Sequence, residues 1–575
     1  MGRKLDEIAK NGTFEGDNVP KLTRIIYPWS GIFRDACYTL IGTFLMQYAV
    51  TAGVLSSNQE VFSRQFGIIT IAVMICLLWD GINDPIMGFI IEKAHFKTGK
   101  FRPWIALGAI GNAIIVALMF LLPLSMVGHS GWGYVSFMII MYILWDLVFT
   151  MNDIGYWSML PSLSNDAKTR GRLTTNVAVA ASIGTATMTL GMYVLPGLIR
   201  FSAAQIYAGA ATIVALLFLA SQLAIFFLCK EKKSDPKQEE VSEKSSILDL
   251  FRIVGKNKQL LVVVIALLLF QLGEFILTGI GQNYFYMLYG YGGSRGGLVT
   301  TAILAVYILS TIIAQLFYPV LRKKFTNRQI LTMMGITIFI GYLAFLFIAF
   351  PLFGDKPIAY NEILKNPDGT INPLWIAGGT MWMYYVFAFF FFGAAGVFYL
   401  AVLVLFQNAI DYQEWKYGER KESIAFAWRP LDVKLASGLN RGLQFIVYAA
   451  TGTTAFINAV SEAEGKYNAQ LNAKIAGAEA TRDAAISAAQ SQIQPSQLAT
   501  FGIIIVSVIL LCFGAAYFLL RFGFKIDDSF EEKIVADLAK KHQEDATLAA
   551  SGVSPEKIPE AKEGVDVTDA ASSGK

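Results

Sequence analysis

Charge is scarce in this sequence. Only 16% of its 575 residues are Asp, Glu, Lys or Arg, where a soluble domain carries about a quarter. Histidine is scarcer still. His95, His129 and His542 make up the set, none falls in an apolar run, and no nucleophile–base pair or metal-ligand spacing surrounds them. An enzyme is therefore not expected. The four cysteines, Cys37, Cys76, Cys229 and Cys512, lie within or at the edge of apolar runs. They read as small core hydrophobes, with neither metal-ligand spacing nor a disulfide framework. The first thirty residues lack an apolar core and carry Lys4, Asp6, Glu7, Lys10, Glu15 and Asp17. No cleavable signal is expected there, so the first membrane helix itself would direct insertion.

Apolar residues fill the space that charge leaves. The chain is 55% hydrophobic with a mean hydropathy of +0.50. Its long apolar stretches reach the ~20 residues that cross a hydrocarbon core of about 30 Å. This excludes a soluble enzyme, a nucleic-acid module and a disordered scaffold. A net charge of +4 says little, because basic residues in such chains report orientation rather than partners. Twelve spans are expected, at 31–55, 66–92, 103–126, 132–160, 173–197 and 203–229, then 260–290, 298–321, 329–350, 374–407, 422–456 and 499–522. Aperiodic apolar runs of this length fit helices and not alternating barrel strands.

The polar stretch 230–258, with EKKSDPKQEEVSEK inside it, divides the spans six and six, the pattern of a two-bundle transporter of the major facilitator type. The expected fold is an all-α membrane protein of twelve transmembrane helices in two six-helix bundles. Its parts would be an N-terminal segment at 1–30, a first bundle at 31–229, a linker at 230–258, a second bundle at 259–522 and a tail at 523–575. Basic residues cluster in the connections on one side: Lys93, Lys97, Lys100 and Arg102, then Lys168, Arg170 and Arg172, then Arg322, Lys323, Lys324 and Arg328. That places both termini and the linker in the cytoplasm. Residues 457–495, rich in alanine and charge, read as an external helix resting on a neighbour or on the membrane surface. The tail opens with an amphipathic stretch, SFEEKIVADLAKKHQ, and then takes on the composition of disorder.

The informative residues are ionisable groups inside spans, each costing about 2.5–3.5 kcal/mol at the bilayer centre if it faces lipid. Span two holds LLWDGINDPIMG, which puts Asp80, Asn83 and Asp84 within one turn on one face. In span four, Asp146, Thr150, Asp153 and Trp157 share a face. Asp35 opens span one beside Arg34, Glu274 lies in span seven, and Arg429, Asp432 and Lys434 lie in span eleven. One isolated carboxylate is as well explained by an interhelical bond. Five in spans one, two and four, with Arg34 as the one countercharge there, repel each other, and a bound cation would relieve them.

At these residues the chain resembles the glycoside–pentoside–hexuronide:cation symporter family. The resemblance covers most of residues 30–455 and is sharpest in WDGINDPIMG (79–88), GKFRPW (99–104), DIGYWSMLPSLSND (153–166) and IDYQEWKYGERKESIA (410–425). It implies a site for Na⁺, Li⁺ or H⁺ made by Asp80, Asn83, Asp84 and Thr150, with Asp80 and Asp84 carrying the charge. It implies a sugar site with Asp35, Asp153 and Trp157, carboxylates taking hydroxyl hydrogen bonds and the indole stacking on a ring. Lys434 falls on the lysine that the family places near both sites. Three positions depart from the pattern. The sugar-contacting arginine of span five would fall on Ala178, the tyrosine before the span-four threonine is Phe149, and the tryptophan of span ten is Tyr399.

Span eleven adds Arg429, Pro430 and Asp432 around Lys434. Arg429 and Asp432, at i and i+3, are placed to pair, and Arg429 is a candidate to replace the missing span-five cation; a merely polar helix start is the alternative. Arg102, Asp411, Glu414 and Arg420 lie where the halves would meet on the inner side. They are candidates for ion pairs that latch an outward-facing state, or for charge that only sets topology. The expected activity is cation-coupled symport of a sugar or glycoside by alternating access in the bacterial inner membrane. The partners would be sugar, a monovalent cation and lipid, with no further cofactor, no nucleic acid and a monomeric state. The rivals are an uncoupled facilitator or amphiphile carrier on the same fold, and a transport-inactive sensor.

Overall fold

The structure, a computed structural model, describes residues 19–550 except 95, 165–166, 197, 232–251, 253 and 419–427. The expected linker and the end of the tail thus lie largely outside the described residues. Among those described the chain is helical, and its one β pairing is an isolated bridge between Lys365 and Ile371. A short helix α1 (Lys21–Trp29) leads into α2 (Gly31–Thr51), α3 (Gln59–Lys93), α4 (Arg102–Leu121), α5 (Trp132–Ser162), α6 (Ala167–Val194) and α7 (Ala203–Leu228). After the linker come α8 (Lys258–Tyr289), α9 (Gly296–Arg322), α10 (Asn327–Ala349), α11 (Trp382–Tyr417) and α12 (Trp428–Ala450). Next are α13 (Thr453–Asn472), α14 (Ala478–Ser491), α15 (Pro495–Phe518) and α16 (Asp528–Ala550).

Ten helices among the described residues are long and apolar enough to cross a membrane, or up to eleven if Leu431–Ala450 and Thr453–Asn472, bent by 94°, form one span. Twelve are expected from the sequence. The shortfall has a physical reason: α2 carries Arg34, Asp35, Thr39 and Gln47, and α12 carries Asp432, Lys434, Asn440, Arg441 and Gln444. Most of these line an internal cavity rather than lipid, so the helices that build the cavity are the ones whose apolar signal is diluted.

Helix starts follow local rules. Asn58 Oδ1 accepts the N–H groups of Glu60 and Val61 at 3.1 Å each at the start of α3. Ser202 with Gln205 and Thr326 with Gln329 form reciprocal capping boxes on α7 and α10, devices worth ~1 kcal/mol each. Small residues let helices close: a Cβ on Gly108 of α4 would lie 2.6 Å from the backbone nitrogen of Asn152 in α5.

The packing repeats. α2 rests on α6 and α7, α3 on α5, and α4 on α5 and α7; in the second half α8 rests on α12 and α15, α9 on α11, and α10 on α11 and α15. Each pairing in the first set recurs in the second, as a six-plus-six repeat requires. The two sets touch along α3 with α12 and along α6 with α9, positions that a two-fold axis would exchange. The stretch 457–495 is not one helix but two, α13 and α14, and α13 lies across α2, α3 and α7 of the first set. We call this end of the molecule the insert end and the opposite one, which carries Lys93, Arg102 and Arg322, the basic end. At the basic end α16 packs on α11, burying Ile534 and Leu538, with Arg322 Nη1 3.1 Å from Asp528 and Trp415 Nε1 3.1 Å from Asp537.

Candidate functional site

A cavity of about 540 Å³ lies between the two sets of helices, within the size range of small-molecule sites. Asp80 and Asp84 reach it from α3, Asp146, Phe149, Thr150, Asp153 and Trp157 from α5, Asp35 from α2 and Lys434 from α12. Helical periodicity put each set on one face, and the packing of α2, α3, α5 and α12 turns those faces inward.

Two clusters share the cavity. In the first, Lys434 Nζ lies 2.8 Å from Asp80 Oδ2 and also pairs with Asp84. Thr150 Oγ1 donates to Asp80 Oδ1 at 3.3 Å, and Asn83 Nδ2 donates to Thr150 Oγ1 at 3.4 Å. Asp80, Asn83 and Thr150 are buried. The four residues assigned to cation binding therefore stand together, with an ammonium between their two carboxylates. Among the described residues no group of three or more His, Cys, Asp or Glu is arranged to hold a metal. Two carboxylates with an amide and a hydroxyl oxygen suit a monovalent cation, whose charge a buried pair of carboxylates can balance.

In the second cluster Arg34 is the hub. Its side chain is 3% exposed, with Nη2 2.8 Å from Asp35 Oδ2 and Nη1 3.2 Å from Asp153 Oδ1. Its guanidinium lies over Tyr156 at 4.4 Å and over Trp157 at 4.9 Å from the ring centres. Sequence reasoning had Arg34 only as a countercharge; its position beside Asp35, one turn into α2, was the available signal. Asp146 was likewise visible as a carboxylate on the α5 face, and it is buried in the cavity wall one turn before Thr150. Arg441, Gln444 and Asn440, which also line the cavity, carried no motif at all.

Of the other candidates, only Phe149 is among the cavity-lining residues. Phe149 lines the cavity and packs between Tyr38 and Trp145, at 5.1 and 5.2 Å between ring centres. Arg429 does not pair with Asp432. It donates instead to Tyr399 Oη at 2.9 Å, away from the cavity lining, and among the described residues the buried Asp432 carboxylate has no hydrogen-bond partner. The i, i+3 spacing allowed the pair, but Tyr399 of α11 offers Arg429 an acceptor from another element. Arg102 donates to the carbonyl oxygens of Thr98 and Phe226 at 2.9 Å each, while Glu231 accepts the backbone N–H groups of Lys100 and Arg102 at 2.7 Å each. These bonds fasten α4 to the end of α7 within one set. Asp411 and Glu414 lie at the basic end of α11. Arg420 is outside the described residues.

The cavity is closed at the insert end. There Ser202 Oγ donates to Asn468 Oδ1 at 2.8 Å, Ala203 N–H to Glu464 Oε2 at 2.8 Å, and Asn458 Nδ2 to the Ser56 carbonyl at 3.0 Å. Deeper in, Gln47 and Asn283 exchange bonds of 3.4–3.5 Å. Trp157, toward the basic end, is 39% exposed, against 9% for Gln47.

A profile described as MFS/sugar transport protein matches residues 60–528. A raffinose carrier protein of Pediococcus pentosaceus is 26% identical over 438 residues, covering 75% of this chain and 63% of that protein. A lactose permease of Leuconostoc lactis is 26% identical over 458 residues, covering 78% and 66%. The chain therefore spans about two thirds of the length of these relatives. An isoprimeverose transporter of Lactiplantibacillus pentosus is 23% identical over 544 residues, covering 92% and 94%. Among solved structures, a bacterial homologue of the human lysosomal transporter Spinster superposes with a TM-score of 0.50 at 12% identity, covering 87% of this chain and 96% of that one. That likeness is one of fold.

Proposed function

The chain belongs to the MFS/sugar transport protein family, and on that premise we propose that it couples the uptake of a sugar or glycoside to a monovalent cation by alternating access. The observation that carries the reading is Lys434, held between Asp80 and Asp84 beside Thr150. Lys434 occupies the place where a coupling cation would sit. Cation binding would take the ammonium's place between the two carboxylates and release it toward the cavity, where it can donate to a sugar hydroxyl. The sugar would lie against Asp35, Asp153 and Trp157, with Arg34 fixing both carboxylates. Cation and sugar then favour each other by one shared free energy, of the order of 1–3 kcal/mol in such couplings. We further take the basic end as cytoplasmic. The closed insert end then makes this the inward-facing state, and the bundles at 31–229 and 259–522 are the bodies that rock.

The test is uptake into proteoliposomes with an imposed Na⁺, Li⁺ or H⁺ gradient, wild type against Asp84→Cys. A gradient-driven sugar flux that Asp84→Cys abolishes is the expected result. Equal cation dependence in the variant removes the assigned site, and flux indifferent to every cation makes the protein a facilitator.

A further inference from the structure

The seam at the insert end holds a buried carboxyl that neither cluster of the cavity uses. Glu464 of α13 is 2% exposed and reaches across to the first set, where its Oε2 accepts the Ala203 N–H at the start of α7. Among the described residues its one nearby cation is Arg482 of α14, with Nη1 3.7 Å from Glu464 Oε1. Arg482 is held more closely by others: Asp483 Oδ1 lies 2.7 Å from it, Glu479 Oε1 at 4.0 Å, and the Tyr467 ring centre at 4.5 Å. Glu479 in turn pairs with Arg200 at 3.7 Å. Tyr286 of α8 and Tyr291 in the turn after it also face Glu464. Among the described residues α2, α3, α7 and α12 bring no charged side chain to it, and on α13 itself the exposed Glu462 and Lys466 pair with each other at 2.7 Å. Closing the seam thus withdraws the Glu464 carboxyl from water without a close counter-ion, which favours its neutral form. Burial pushes it from an ordinary 4.5 up to about 7, with Arg482 and the Ala203 N–H pulling the other way.

We propose that seating α13 on the first set captures a proton on Glu464, so that the insert end is a gate set by pH: acid holds it closed and rising pH releases it. This goes beyond the symporter reading and rests only on its alternating access. When α13 lifts from α7, Glu464 meets water and regains its ordinary acidity. The seated state therefore binds the proton more tightly, and the proton favours the seated state by the same factor. Below the ordinary value Glu464 is neutral in both states and seating is strongest. Seating weakens as pH rises toward about 7 and levels off above it, where the carboxyl is charged in both. Either form accepts from the Ala203 N–H, so loss of that acceptor is read at acid pH, where no charge is buried. The proton comes from water at the insert end and returns there on opening. Glu464 is not among the cavity-lining residues, so this proton is not carried across and does not replace the coupling cation.

The experiment puts nitroxide labels on Ala469→Cys of α13 and Trp132→Cys at the start of α5, both exposed positions, in an otherwise cysteine-free chain in nanodiscs. Pulsed electron paramagnetic resonance then reads the distance distribution between about pH 5 and pH 8. With Glu464 intact, the ratio of the longer, unseated distance to the shorter, seated one should rise at least about tenfold, most of it below about pH 7. Glu464→Gln keeps an acceptor for the Ala203 N–H but cannot ionise, so its ratio should stay within about twofold across the range. Arg482→Gln removes the cation that favours the charged form, so its rise should extend to higher pH. A ratio that ignores pH while Glu464 is intact overturns the proposal. So does a Glu464→Gln curve that follows the parent, or an Arg482→Gln midpoint that stays in place or falls. Sugar flux in proteoliposomes of the same chain keeps the two readings apart. Flux with pH-independent distances removes the gate alone, and pH-dependent distances without flux remove the symporter reading alone.

Discussion

Replacing Gly53 by alanine should open the insert end. Gly53 follows α2 with φ of +73°, and a Cβ there would lie 2.5 Å from Gly465 Cα, 2.7 Å from Gly465 N and 2.9 Å from the Ser461 carbonyl oxygen in α13. All three are backbone atoms, so no rotamer change relieves the clash, and α13 must retreat toward the ordinary 3.5–4.0 Å carbon contact. Two costs arise, and they act differently. The left-handed backbone costs an alanine about 1–2 kcal/mol, but it is present whether or not α13 is seated, so it lowers overall stability without moving the conformational equilibrium. The overpacking, typically ~1–3 kcal/mol, exists only while α13 is seated. It therefore shifts the balance toward the state open at the insert end by roughly 5–150-fold. The assay is labelling of Gln47→Cys, at the insert end of the cavity, by a membrane-impermeant maleimide in a cysteine-free background. The control is built in. A Cβ on Gly465 would meet Gly53 Cα at 3.4 Å and Val127 Cγ1 at 3.7 Å, near-normal contacts, so Gly465→Ala should label within about twofold of the parent. Unchanged labelling in Gly53→Ala, or an equal rise in Gly465→Ala, would refute the reasoning.

Three further outcomes follow from the site. Lys434→Ala leaves Asp80 and Asp84 without their shared cation, and removing one partner of a buried pair costs ~3–5 kcal/mol. Its melting temperature should fall in cation-free buffer and recover with the coupling cation more than wild type does, as read by thermal shift. Arg34→Lys keeps the charge but not the fork that spans Asp35 and Asp153 while lying on two rings, so sugar affinity by calorimetry should weaken at least roughly tenfold. Glu464→Ala strips the acceptor from the Ala203 N–H and one partner, 3.7 Å away, from Arg482. Leaving a buried donor unmet costs about 1–3 kcal/mol, so the Gln47→Cys probe should label faster, in the direction of Gly53→Ala.

The two clusters differ in how much of them the sequence revealed. Asp80, Asn83 and Asp84 share one turn of α3, and Thr150, Asp153 and Trp157 share a face of α5, so 3.6-residue periodicity alone grouped each set. What it could not do was point the two faces at each other, or bring Lys434 across from a helix some 350 positions away in sequence. The expected Arg429–Asp432 pair failed for the same reason. Local spacing made it available, but Tyr399 on another helix competed successfully for the guanidinium. Arg441 and Asn440 had no signature, because a cavity wall is assembled from single residues on helices that meet only after folding.

The sequence by itself determined that the chain is a helical membrane protein, because backbone polar groups in lipid must be satisfied within each apolar run. Through its motifs it determined the family, which the match over residues 60–528 shows. Only the tertiary structure decided which polar residues share the cavity, that α13 clamps one end of it, and that an internal lysine stands between the two carboxylates. Those are contacts between distant segments, set by how sixteen described helices pack, and no local pattern encodes them.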